Sequence, residues 1–234
     1  MTEPRQLMGH IMARLGNKGD YLGQKVIVTA GGTEEAIDPV RVITNRSSGK
    51  MGYALAEAAR DRGAVVTLVT APTSLEDPSG IRTIHVRTAN DMEKEVLSCA
   101  PEGDLLIMAA AIADFRPSKK AAGKIKKGST GFALNLIPVE DWLHNVVGQR
   151  LLKVVFAAET TNLVENARKK LETKSADIVV ANDVTEIGAG FGTDTNKVTI
   201  LDSKGHVDQV PLMEKYAVAQ RILDCALPFL RSRV

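Results

Sequence analysis

What most constrains this chain is a series of short, largely apolar runs, each ending in small or polar residues. KVIVTA (25–30), AVVTLVT (64–70), DLLIMAAA (104–111), LLKVVFAAE (151–159) and ADIVVAND (176–183) are of this kind, and RTIHV (82–86) is a shorter one. Runs that are apolar at nearly every position, rather than at alternate ones, suit strands covered on both faces, the usual condition of a parallel sheet. Between them lie segments with helical periodicity: 49–63 through Met51, Leu55, Ala58 and Ala59, then ANDMEKEVLSCA (89–100) and LVENARKKLETK (163–174). The order strand, helix, strand, strand, helix, strand predicts an α/β fold, a Rossmann-like doubly wound and mostly parallel sheet. KVTILD (197–202) and HVDQVPL (206–212) alternate around Ser203-Lys204-Gly205, which predicts an added β-hairpin, and a last helix is expected over 213–230.

Residues 1–24 read as a short helix, with Leu7, Ile11 and Leu15 at helical spacing, and a linker; residues 25–234 read as one domain. The 234 residues and 44% hydrophobic content allow one sizeable core. A formal net charge of +2 gives no global argument for nucleic acid or membrane, and any partner must be sought in local clusters. Cys99 and Cys225 have neither metal nor disulfide spacing, and His10, His85, His144 and His206 are scattered. No apolar run is long enough to span a bilayer and no signal sequence opens the chain, so a cytoplasmic location is expected.

Two long loops are expected, 31–48 and 114–131, each after the carboxyl end of a predicted strand, where open α/β sheets bind ligands. In the first, Ser47, Ser48 and Gly49 precede a predicted helix. Serines there can cap it, and its free N–H groups attract phosphate or carboxylate, with Arg46 and Lys50 adding positive charge. In the second, Asp114 is followed by Arg116, Lys119, Lys120, Lys124, Lys126 and Lys127, a charge pattern suited to a triphosphate with Asp114 on Mg²⁺ or a ribose hydroxyl. A solvated basic loop gives the same pattern, and the single aromatic, Phe115, makes stacking recognition of nucleic acid poor. Gly123 and Gly128 bracket KIKK, as in a loop that opens and closes. Lys170 and Lys174, four apart, share one helix face; on periodicity alone that is a solvated face. Asn182-Asp183 ends a strand and is equally compatible with a turn.

The segments VTAGGT, IDPVR, ITNRSSGKMG, AAAIADFRP, KIKK, FAAET and VANDV, in that order over roughly 25–230, resemble the phosphopantothenate–cysteine ligase family. The resemblance implies a ligase of coenzyme A biosynthesis. The carboxylate of 4'-phosphopantothenate attacks the α-phosphate of CTP, giving an acyl-cytidylate and pyrophosphate; the amine of cysteine then displaces CMP. It implies that Asn45 holds the acyl group, that Lys124 on a mobile flap contacts the phosphates, and that Arg41 binds the acid, with Ser47, Ser48, Gly49 and Ala110 alongside. The nucleotide site implied comprises Gly31, Gly32, Met108, Ala109, Ala110, Asp114, Lys124, Glu140, Asp141, Trp142, Leu143, Phe156, Lys170 and Lys174, with Asp114 on Mg²⁺. It also implies a homodimer, with the hairpin at 197–211 as a dimer element, and a flavin-dependent decarboxylase half joined through the first 24 residues. The family's Asn-Pro-Asp or Thr-Pro-Asp element is IPVEDWL here, which leaves CTP against ATP open; Glu34 and Ala36 stand where Arg and Pro are common. A nicotinamide-dependent reductase on the same fold is disfavoured because GxGxxG spacing is missing, and a nucleic-acid module leaves NRSSGKMG and Asp114 unused.

Overall fold

The computed structural model describes residues 3–128, 131–159, 163–183, 188–190 and 192–233. Six parallel strands form its centre: β1 (Lys25–Ala30), β4 (Val65–Thr70), β5 (Arg82–His85), β6 (Leu105–Met108), β9 (Leu152–Glu159) and β10 (Ile178–Asp183). Across the sheet they run β10-β9-β6-β1-β4-β5, so the chain starts in the middle, works to one edge and returns to build the other half. This is the doubly wound Rossmann order, and its direction reverses between β1 and β6. The expected hairpin is present as β11 (Thr195–Asp202) and β12 (Val207–Glu214), antiparallel and continuing the sheet beyond β10.

Alternate residues of each central strand feed opposite cores. Val26, Val28, Leu105, Ile107, Leu152, Val154, Ile178 and Val180 face α2 (Lys50–Asp61) and α5 (Lys215–Arg231). Ile27, Leu106, Val155 and Val179 face α3 (Ala89–Cys99), α4 (Leu163–Thr173) and the turn at 142–146. Both sets are apolar because both faces are covered, which is why the runs do not alternate. Helix α2 sits closest to the sheet at Gly52, where an added Cβ would stand 2.6 Å from the Ala30 Cβ and 2.8 Å from the Thr29 carbonyl.

The structure departs from the sequence expectations at several points. Neither Ser47 nor Ser48 caps α2: Gly49 occupies the N-cap in the left-handed region (φ 74°), and the Ser47 hydroxyl accepts only from the Gly49 N–H at 3.4 Å. Helix α3 starts at Ala89, where the sequence placed it, and Thr88 caps it in a reciprocal capping box with Asp91. The loop at 31–48 contains an antiparallel pair, β2 (Glu34–Ala36) with β3 (Val42–Thr44), and β7 (Phe115–Pro117) pairs with β8 (Leu136–Pro138). Strand β6 ends at Met108, so Ala109 and Ala110 leave the sheet. In α1 (Pro4–Leu15) the apolar residues Leu7, Ile11 and Leu15 are exposed. Tyr21, in the segment expected as linker, is fully buried and donates to the Leu223 carbonyl at 2.6 Å. Among the described residues no helix is long and apolar enough to cross a membrane.

Candidate active site

The reversal between β1 and β6 splays the two chains that leave their carboxyl ends, and the crevice between them is extended by side-chain and backbone ties. Ala111 N–H donates to the Gly31 carbonyl (2.8 Å) and Thr33 N–H to the Ala111 carbonyl (3.2 Å). The buried hydroxyl of Thr29 accepts from Ala110 N–H (3.1 Å) and that of Thr33 from Ala113 N–H (2.9 Å). Above them, the Asn45 side-chain amide donates to the Ile112 carbonyl at 2.9 Å. Gly32 separates the layers: a Cβ there would lie 2.7 Å from the Asn45 carbonyl. Three strings distant in sequence, GGT, NRSSG and AAAIAD, are thus stacked as one wall.

Beside this wall lies a cavity of about 690 Å³, within the range that takes a nucleotide-sized ligand. Its lining is charged with both signs: Arg46, Lys50, Lys170, Lys174 and Lys215 against Asp114, Glu140 and Asp141. Lys174 Nζ pairs with Asp141 at 2.6 Å, and Lys50 Nζ with the exposed Asp194 at 2.6 Å while also donating to the Gly192 carbonyl at 3.1 Å. Lys215, at the first position of α5, is largely buried and donates to the Thr193 and Thr195 carbonyls. Burial, and then the charge of Lys50, hold its ammonium below the usual lysine pKa. The cavity therefore concentrates cations in partly desolvated positions, where an anionic ligand interacts more strongly than at the open surface.

Of the residues singled out from sequence, Asn45, Ser47, Ser48, Gly49, Met108, Ala109, Ala110, Asp114, Glu140, Asp141, Trp142, Leu143, Phe156, Lys170 and Lys174 line this cavity. Trp142 and Leu143 do so from the core, 3% and 6% exposed, so their side chains are packing groups first. Gly31, Gly32, Arg41 and Lys124 do not line it. Gly31 and Gly32 are buried beneath the wall and serve chain crossing: a Cβ on Gly31 would stand 2.6 Å from the Ala71 carbonyl. Lys124 is exposed, and Arg41 is paired with Asp38. Asn182 lines the cavity; the Asp183 and Glu159 side chains, Thr160 and Val184 lie outside the described residues.

Lys215 and Asn196 were missed in the sequence, since nothing links 196–215 to the crevice except the antiparallel return of β11 and β12. One signal was available. A lysine at the first position of a helix opposes the macrodipole, a misplacement that needs a local reason. Among the described residues no group of three His, Cys, Asp or Glu could by itself hold a metal ion.

A family model described as the DNA/pantothenate metabolism flavoprotein C-terminal domain matches residues 21–229. The chain is 47% identical over 204 residues to the coenzyme A biosynthesis bifunctional protein CoaBC of Bacillus subtilis (strain 168), covering 86% of this chain and 50% of the relative. It is 40% identical to a cysteine/cysteine sulfinic acid decarboxylase of an unknown prokaryotic organism, covering 95% of this chain and 64% of that protein. The crystal structure of the C-terminal domain of a CoaBC protein superposes with a TM-score of 0.78 at 38% identity, covering 92% of this chain and 99% of that one. The chain thus spans 50% to 64% of the length of these two curated relatives.

Proposed function

This chain belongs to the DNA/pantothenate metabolism flavoprotein C-terminal domain family, and on that premise we propose that it joins 4'-phosphopantothenate to cysteine in coenzyme A biosynthesis. In the first step a carboxylate oxygen of the acid attacks the α-phosphorus of CTP and the bond to pyrophosphate breaks. In the second the cysteine nitrogen attacks the acyl carbon, the acyl–phosphate bond breaks, CMP leaves and the amine loses a proton. The observation that carries this reading is the cavity at the strand-order reversal, whose lining brings Lys50, Lys170 and Lys174 together with the carboxylate of Asp114.

Attack by one anion on another needs positive charge that is already in place. Lys170 brings it from the last turn of α4, Lys174 from the turn just beyond that helix, and Lys50 from the first turn of α2. Mg²⁺, when bound, would neutralise phosphate oxygens, and a carboxylate such as Asp114 fits it, because this ion is ordinarily held by one or two carboxylates together with substrate phosphates. The wall of Asn45 and Ala110 would seat the acyl group. Arg41 and Lys124 would reach the ligands by movement of the segment that carries Lys124. Excluding water matters here, because an acyl-phosphate mixed anhydride hydrolyses readily. In this reading the base lies against Met108–Ala110 and the IPVEDWL segment; the whole enzyme is a homodimer whose chain also carries a flavin-dependent decarboxylase.

Pyrophosphate release with 4'-phosphopantothenate and Mg²⁺, compared across CTP, ATP, GTP and UTP with and without cysteine, tests the proposal. Release favouring CTP, with phosphopantothenoylcysteine formed only when cysteine is added, is expected. Preference for ATP would overturn the nucleotide assignment. Carbon dioxide release from cysteine alone, with no pyrophosphate, would overturn the reaction.

A further inference from the structure

Arg41 and the root of the KIKK segment are held by one buried group. The Asp38 side chain, at the tip of the β2–β3 hairpin, has no solvent exposure. Its Oδ1 accepts from the Val40 N–H (2.8 Å) and the Arg41 N–H (2.9 Å). Its Oδ2 accepts from the Arg41 Nε (3.0 Å) and Nη2, and also from the Ile125 N–H (3.0 Å). The circle closes because Arg41 Nη2 donates onward to the Ile125 carbonyl at 2.8 Å. Four residues earlier, Ala121 N–H donates to the Ile37 carbonyl at 2.9 Å. Lys124 is therefore carried on a stretch fastened at both 121 and 125 to the loop that bears Arg41.

We propose that Asp38 is a positioning residue that makes Arg41 and the Lys124 segment one mechanical unit. The roles of those two cations rest on the ligase reading above; the clasp does not. A guanidinium next to a flexible basic loop would ordinarily repel it. Asp38 reverses this by placing a buried charge between them and spending both oxygens on it. Charge-assisted bonds from one carboxylate to two segments hold them more tightly than neutral bonds do. An acid bound at Arg41 is then sensed by the segment carrying Lys124, and the reverse.

Limited tryptic digestion of the full chain, with cut positions read by mass spectrometry, tests the clasp without any assay of turnover. Cutting after Lys124, Lys126 and Lys127 reports how often the segment opens. In Asp38→Asn the charge is lost and only one of the two positions still accepts, so either the Val40 and Arg41 N–H groups or the Ile125 N–H and Arg41 guanidinium face an NH₂ donor, and cutting there should rise about tenfold or more while other sites change little. Arg41→Gln, which spares the Asp38 carboxylate, should also raise it, and decides the matter if Asp38→Asn is cut faster everywhere. Unchanged cutting at 124–127 in both variants overturns the proposal.

Turnover supplies the positioning readout. Lys124→Gln should cost far less in an Asp38→Asn background than in the wild type, because the lysine is already misplaced; equal costs in both backgrounds also overturn the proposal. Should the clasp behave as expected while the wild type releases no pyrophosphate, the ligase reading fails and the clasp stands.

Discussion

The Asn45 side-chain amide and the Ile112 carbonyl are joined by a 2.9 Å hydrogen bond that spans 67 residues of sequence and ties the segment before α2 to the segment after β6. Both segments line the cavity, so this bond sets the width of the proposed acyl site. Asn45→Asp removes the donor and turns a carboxylate oxygen toward a carbonyl. Pyrophosphate release should persist in a first turnover while product formation falls on the order of a hundredfold, the scale for losing one positioned polar group. Quench-flow measurement of acyl-cytidylate and product checks it; full turnover to product would remove Asn45 from this role.

Lys124 and Lys120 are both exposed and four residues apart in one basic stretch. If the stretch acts only as diffuse charge, neutralising either lysine should cost the same. We expect Lys124→Gln to lower kcat at least tenfold, about 1.4 kcal/mol, and Lys120→Gln to lower it less than twofold. Steady-state kinetics at two ionic strengths separates the cases, since diffuse charge is screened by salt.

The chain has one tryptophan, Trp142, buried at 3% exposure on the cavity wall. Titration with the nucleotide it uses should shift or quench Trp142 emission, because the dielectric and contacts on that wall change. Emission that stays constant at saturating nucleotide would place the base elsewhere and release the IPVEDWL segment from base recognition.

Asp38 also predicts a pH dependence. Above all the Arg41 guanidinium, and also the backbone N–H groups of Ile125, Val40 and Arg41, hold its carboxyl well below the usual carboxylate range. A carboxyl depressed on folding contributes stability that is complete above its unfolded value, near 4, and is lost as pH falls toward the folded value. This group should therefore leave stability unaffected from pH 8 to 5 and reduce it below about pH 4. Urea unfolding across that range should show a shallower acid loss in Asp38→Asn; an identical loss would mean the clasp survives protonation.

Gly52→Ala tests packing apart from chemistry. The added methyl meets Ala30 and the Thr29 carbonyl well inside contact distance, and both belong to the central strand rather than to a flexible side chain. Overpacking of this kind typically costs 1–3 kcal/mol, and a chain of this size should lose roughly 2–4 °C of melting temperature per kcal/mol. A melt unchanged to within a degree would show that α2 shifts freely off β1.

The sheet was legible in the sequence because burial on both faces imposes a local signature: the runs ending near Ala30, Thr70, Met108 and Asp183 are largely apolar rather than alternating, and no distant contact is needed to see it. Part of the cavity lining was legible too, since the doubly wound order places every strand's carboxyl end on one side, and Asn45, Ser48 and Asp114 follow such ends or flank a helix there; Lys174 was placed at a ligand only through the family resemblance. The caps were less so. Ser48 and Gly49 are equally plausible beside a helix, and the choice fell to Gly49 because its backbone adopts positive φ, with room for no Cβ beside Thr73.

Three things were decided only in three dimensions. Lys215 enters the cavity because the antiparallel hairpin returns α5 to the sheet's ligand side, a consequence of strand pairing across the sheet edge. Arg41 and Lys124 stand outside the cavity because Asp38 draws the hairpin tip and Ile125 together across 87 residues. Gly31 and Gly32 became close-packing positions because neighbouring backbone fills the space a side chain would need. Local sequence determines which residues are apolar, turn-forming or charged. Which charges meet, and which face a ligand, is a property of how remote segments are closed onto one another, and only the closed structure specifies it.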